Sequence, residues 1–215
     1  MHLSVYGDSI AAGQGAPPGM GFVPQLARLS AVQRRSAVTF LNFGQSGMTS
    51  GDLASALSHN DAWLDGLMDA SAVCLLIGGD DLIRSIPLLL AENRRGLERT
   101  LLDCAANWRR ILAILRRHSR GPIAVGTLYD PFPATAAATR AVAAYNEFVI
   151  APAAATAGTA LAPVHAAFSG RESSLIHGYS NGRADAPGRD GVIHPVHPNA
   201  RGHDVIAQVF ASRVE

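Results

Sequence analysis

At 215 residues the chain is long enough for one sizeable core and short for two ordinary domains. Apolar residues make up 48% and charged residues 16%, a globular balance that excludes a largely disordered chain. The net charge is +1, with every basic side chain an arginine and none a lysine, so the balance points to neither nucleic acid nor an anionic membrane as partner.

In chain order, short apolar runs alternate with longer helical patterns. The first run is "HLSVY" at 2–6, followed by the glycine-rich loop "GQGAPPGMG" and a helix over 22–33 carried by Phe22, Leu26 and Leu29. The second run, "VTFLNF" at 38–43, leads into a helix over 49–66 with Leu53, Leu57 and Leu64 on one face. The third, "AVCLLIG", is continuous and apolar, which marks a central strand. From Pro87 to His118 the pattern is helical, with Leu97, Leu101, Cys104, Trp108, Ile111 and Leu115 in one stripe that reads as core packing. Arg109, Arg110, Arg116, Arg117 and Arg120 read as a solvated face near that helix's C-terminus, favourable for its dipole.

The fourth run, "PIAVGTLY" at 122–129, precedes an alanine-rich helix over 135–150 that should end at Pro152. The fifth is "ALAPVHA" at 160–166. A loop of about 25 residues, rich in Gly, Arg and Asp, separates it from a last helix at 199–213, and loops that long in compact domains are usually functional or mobile. Strand and helix alternating in this way predict one domain over 1–215, a three-layer α/β/α sandwich around about five parallel strands. No segment approaches the 18 apolar residues of a membrane span, and the N-terminus lacks the basic and apolar regions of a signal peptide. Cys74 and Cys104 lie within apolar patterns and read as buried free thiols. Cytoplasmic residence and no membrane partner are the expectation.

Ligands of open parallel sheets bind at the carboxyl ends of the strands. After strand one stands "YGDSIAAG", where Ser9 would open a helical turn whose N–H groups favour negative charge near its oxygen. After strand two stands "NFGQSG", where Gly44 could bring a bare N–H to a ligand; after strand three, "IGGDDL". After strand five and the long loop stands "GVIHPVHPNARGH", which holds His194, His197 and His203. Each piece is weak alone, but four in this order at strand ends are specific.

Together they resemble the SGNH hydrolases, also called the GDSL esterase and lipase family, over nearly the whole chain. The resemblance implies a flavodoxin-like fold and a serine esterase that needs no cofactor or metal and takes a small-molecule ester. It implies Ser9 as nucleophile and, through "HPN", His197 as base. The Ser9 N–H, Gly44 and position 80 would form the oxyanion hole. Two positions depart from the pattern. Position 80, an asparagine in the family, is Asp80, which could donate only if protonated by burial or by its neighbour Asp81. Three residues before His197 the family usually has an aspartate, and here stands His194. What orients the base is therefore open among a backbone carbonyl or water, Asp190 or Asp185 reaching round, and a role for His194 itself.

Met48, Tyr129 and Phe132, with Met20 or Phe22, are candidates for the acyl pocket, and Asp8 and Asn42 read as braces. Small or short-chain esters, carbohydrate acetyl groups and thioesters all fit such a site. The departures leave an acyltransferase, or a ligand-binding relative with altered catalysis, as the alternative. A metal-dependent hydrolase drawing on His194, His197, Asp80 and Asp81 is the more distant one.

Overall fold

The computed structural model describes residues 1–91, 93–184 and 195–214, without the side chains of Leu89 and Leu90. Five strands form one parallel sheet: β1 (His2–Gly7), β2 (Thr39–Gly44), β3 (Ala72–Leu76), β4 (Ile123–Gly126) and β5 (Ala160–Ala162), in the order β2-β1-β3-β4-β5. Strand β3 lies in the middle and is buried throughout, as its unbroken apolar run predicts. Strand β2 is an edge and is mostly exposed, although its sequence is nearly as apolar. The strand order reverses between β1 and β3, so a crevice opens beyond their carboxyl ends, where open sheets of this kind bind ligands.

The helices between the strands are α1 (Ser9–Ala12), α2 (Phe22–Arg34), α3 (Ser50–His59), α4 (Asp61–Met68), α5 (Gly79–Arg84), α6 (Ile86–Leu90) and α7 (Arg94–His118). After β4 come α8 (Ala136–Tyr145), a π-helical turn (Asn146–Ile150) and α9 (Ala151–Ala157); after β5 come α10 (Val164–Phe168), α11 (Glu172–Leu175) and α12 (Ala200–Ala211). Helix α12 packs on α2, α10 and α11 to form one layer, while α7 packs on α3, α4 and α9 to form the other. The stripe on α7 is buried at Cys104, Trp108, Ile111 and Leu115, and both cysteines are free and buried.

Four expectations about local structure need correction. The pattern read as helical from Pro87 to His118 is interrupted after Leu90, and α7 begins at Arg94, where the Asn93 side chain caps it by accepting the Gly96 N–H at 3.0 Å. The helix expected over 49–66 is two helices, because Asn60 ends the first and its side chain caps the second by accepting the Ala62 N–H at 3.1 Å. The helix expected to stop at Pro152 continues to Ala157: Pro152 lies near the start of α9, just after the π turn, where a missing N–H is tolerated. The fifth run yields a strand of only three residues, because Pro163 ends it and "VHAAF" winds into α10.

Candidate active site

The turn that follows β1 is built around Asp8. Its Oδ1 accepts the Ile10 N–H at 3.0 Å and so caps α1, which leaves Ser9 as the first residue of the helical turn. The Asp8 carboxyl is buried, and Oδ2 has no hydrogen-bond partner among the described residues. Burial pushes its pKa up to about 7, against the pull of the Ile10 N–H, with the nearby Asp80 and Asp81 adding to the rise. Asn42 braces the same turn from β2: its Nδ2 donates to the Ala11 carbonyl at 2.8 Å.

The histidine comes from the other end of the chain. Asn199 caps α12 by accepting the Gly202 N–H at 3.0 Å, and Ile176 and Pro198 form an antiparallel bridge. Immediately before these two anchors His197 brings Nε2 to 3.0 Å from the Ser9 Oγ, joining residues 188 positions apart. Burial holds the His197 pKa below the ordinary histidine value, and the adjacent His177 adds to the effect. A neutral imidazole within hydrogen-bond reach of a hydroxyl can take its proton. Gly15 packs its backbone against the same segment, at a φ of +89°. A Cβ there would stand 2.8 Å from the His197 Cβ and 2.2 Å from the Pro198 carbonyl oxygen.

His203, the third histidine of that stretch, has a structural position. It is fully buried, accepts the Phe22 N–H on Nδ1 at 3.1 Å and donates from Nε2 to the Gln14 carbonyl at 2.8 Å. These two bonds tie α12 to the first loop and assign the neutral ring its proton on Nε2. His194, Asp190 and Asp185 lie outside the described residues, and among those described no hydrogen bond reaches His197 Nδ1.

The oxyanion candidates are unequally free. The Ser9 N–H makes no hydrogen bond among the described residues, whereas the Gly44 N–H is donated to Asn42 Oδ1 at 3.0 Å. Three residues further on, Gly47 turns at a φ of +79°, its N–H unbonded among the described residues and its carbonyl held by Arg84 at 2.9 Å. The loop carrying it is tied to the nucleophile loop by Gln14 and Ser46, and to α5 by Arg84. Asp80 is half-buried at the start of α5, where burial holds its carboxyl above the ordinary range against the opposing charge of Arg84. Asp81 is engaged elsewhere: its carboxylate takes the Ser50 N–H and Oγ–H, each at 2.8 Å, and the Cys104 thiol at 3.3 Å, pinning α5 to α3 and α7.

Of the pocket candidates, Met20 is exposed and Met48 and Phe132 are buried. Phe22 is buried against Phe210 in the core, with ring centroids 5.6 Å apart. Tyr129 is buried, stacks on Phe168 and donates its hydroxyl to the Val196 carbonyl. No group of three His, Cys, Asp or Glu side chains converges among the described residues, and no helix there is long and apolar enough to cross a membrane.

A serine and an imidazole meeting at the switch point of a 2-1-3-4-5 sheet agree with the match of residues 5–205 to the GDSL-like lipase/acylhydrolase family model. The chain belongs to that family. As a member it is a carboxylic ester hydrolase. Comparison with curated proteins gives no match. Among solved structures it is similar to the lipase Lip_vut3 from a goat rumen metagenome, with a TM-score of 0.81 at 20% identity over 99% of this chain and 97% of that one. It is also similar to an acetylxylan esterase from Geobacillus stearothermophilus, with a TM-score of 0.70 at 21% identity over 99% and 93%. A third likeness is to an alpha/beta hydrolase enzyme from the metagenome of Lake Arreo, Spain, with a TM-score of 0.68 at 24% identity over 99% and 94%. At these identities the likenesses show a shared fold.

Gly47 and Tyr129 are the residues whose placement the sequence pattern did not reveal. Gly47 stands three residues after Gly44 in the same "NFGQSG", and only the hydrogen bond from Asn42 separates a used N–H from an open one. Nothing in the run "LYDPFP" signals that Tyr129 reaches the segment of the base.

Proposed function

We propose that this hydrolase works through a Ser9 acyl-enzyme with His197 as general base, on small or short-acyl esters. The observation that carries the reading is the 3.0 Å contact between Ser9 Oγ and His197 Nε2 at the switch point of the sheet. His197 Nε2 takes the hydroxyl proton as Ser9 Oγ attacks the carbonyl carbon. The C=O π electrons move onto oxygen, which is received by the N–H groups of Ser9 and Gly47. Collapse of this intermediate expels the alcohol, which leaves with the proton from His197. A water then repeats the sequence on the acyl-enzyme and releases the acid. The depressed pKa of His197 keeps the ring neutral, in the state the first step needs, at neutral pH. Gly47 replaces the expected Gly44 as second donor, because the Gly44 N–H is bonded to Asn42. The fold-mate from Geobacillus stearothermophilus has structures described as catalytic mutants, one a serine-to-alanine and one a histidine-to-alanine change, a pairing in keeping with this chemistry.

The test is hydrolysis of p-nitrophenyl acetate together with labelling by an alkyl fluorophosphonate. Ser9→Ala and His197→Ala are expected to bring turnover to background, and the label should map to Ser9. Undiminished turnover by folded Ser9→Ala would remove Ser9 from the mechanism.

A further inference from the structure

A base on a loop must be held, and the position that carries an aspartate in the family is His194 in this sequence. The backbone around His197 shows another means of support. The Tyr129 hydroxyl donates to the Val196 carbonyl, which fixes the peptide plane entering His197. The His177 N–H donates to the His197 carbonyl at 2.8 Å, which fixes the plane leaving it. Peptide units are rigid, so pinning both planes sets φ and ψ of His197 and therefore the direction of its Cβ. Only the two side-chain torsions then remain to be settled by the contact with Ser9.

Tyr129 is itself held through its neighbours on both sides and through its ring. Asn146, the first residue of the π turn, grips the preceding residue from both sides: its Oδ1 takes the Leu128 N–H at 2.8 Å, and its Nδ2 donates to the Leu128 carbonyl at 2.8 Å. The following residue, Asp130, accepts the Phe132 N–H at 2.8 Å and the Thr139 hydroxyl at 2.7 Å. The Tyr129 ring lies on Phe168, with centroids 4.3 Å apart. π turns inside helices recur at functional sites, and here one carries the Asn146 that holds the residue before Tyr129. Burial and the nearby Asp8 hold the Tyr129 hydroxyl far above its ordinary pKa, so it remains a donor at any working pH.

We infer that Tyr129 is a positioning residue for catalysis: through the Val196 carbonyl it sets the height of His197 over Ser9, with Asn146 holding Tyr129 in place. This rests on the reading of Ser9 and His197 as nucleophile and base. Tyr129→Phe keeps the ring and removes only the donor. It is expected to lower kcat by about tenfold or more with KM within twofold, since misplacing a catalytic group by about 1 Å costs on the order of 100-fold. Fluorophosphonate labelling of Ser9 should slow by a similar factor, a readout that stability alone does not move.

The comparator is Tyr6→Phe, which also removes one buried hydroxyl bond to a carbonyl, that of Trp63 at 2.7 Å, and should leave kcat unchanged. Folding of each variant is checked by near-ultraviolet circular dichroism. A folded Tyr129→Phe with kcat within twofold of the parent, or with a loss no greater than that of Tyr6→Phe, overturns the inference. Should Tyr129→Phe not fold, Asn146→Ala takes its place: lowered kcat at constant KM supports the inference, and unchanged kcat overturns it. Retained turnover in Ser9→Ala overturns the acyl-enzyme reading instead, so the two failures are told apart.

Discussion

Replacing Gly15 by alanine separates the cost of an unfavourable backbone angle from the cost of moving the base. Gly15 turns at a φ of +89°, where an L-residue is less stable by about 1–2 kcal/mol. Its new Cβ would also stand 2.2 Å from the Pro198 oxygen and 2.8 Å from the His197 Cβ. Ordinary contacts begin near 3.4 Å, so the segment must retreat by about 1 Å. The contact between Ser9 and His197 is 3.0 Å long and does not survive such a retreat as a good hydrogen bond. The expected loss in kcat/KM is on the order of 100-fold.

Gly19→Ala is the matched control, since it has a φ of +76° and nothing within 4 Å of the added Cβ. Gly19→Ala should lose about 1–2 kcal/mol of stability in urea denaturation and Gly15→Ala more, by the cost of displacing the Pro198 backbone. Only Gly15→Ala should lose turnover of p-nitrophenyl acetate. If Gly15→Ala hydrolyses the ester within threefold of Gly19→Ala, His197 is not seated on Gly15 as argued.

Three further outcomes follow from the site and its supports. Asp80→Asn places an amide donor at the start of α5 and should raise kcat on short esters by about tenfold or more, given that one oxyanion donor is worth about 100- to 1000-fold; an unchanged or lower kcat would show that position 80 does not face the oxyanion. The base must be neutral and its pKa is depressed, so the acid limb of kcat/KM against pH should have its midpoint below 6.5, and a midpoint above 7 would contradict the site's electrostatics. His203 is also buried with a lowered pKa, so at this group the unfolded chain binds more protons below pH 6.5 and its contribution to stability falls as pH drops through that value, while Asp8, with its pKa raised to about 7 in the fold, contributes in the opposite direction. Urea denaturation at pH 7.5 and 5.5 checks this: relative to the parent, His203→Gln should shift the balance toward greater stability at pH 5.5, and an equal difference between the two pH values in both proteins would assign the pH dependence to other groups.

Local patterns were enough to reveal much of this protein. The unbroken apolar run at 72–78 fixed β3 as a central strand, because a strand covered on both faces has no polar side to show. The four short blocks at the strand ends pointed to Ser9 and His197, because each carries its own chemistry or turn signal. Exposure of β2 was not legible, since an edge strand differs from a central one by its neighbours and not by its residues.

What the tertiary structure decided were relations between residues distant along the chain. Gly44 and Gly47 look alike in "NFGQSG", and only the folded position of Asn42 leaves one N–H bonded and the other open. Tyr129 lies 67 residues from Val196, and no local pattern connects them. Sequence determines what each segment can form by itself through periodicity, capping and turn chemistry. Which side chain meets which carbonyl depends on how the layers close over the sheet, and that is a property of the assembled fold.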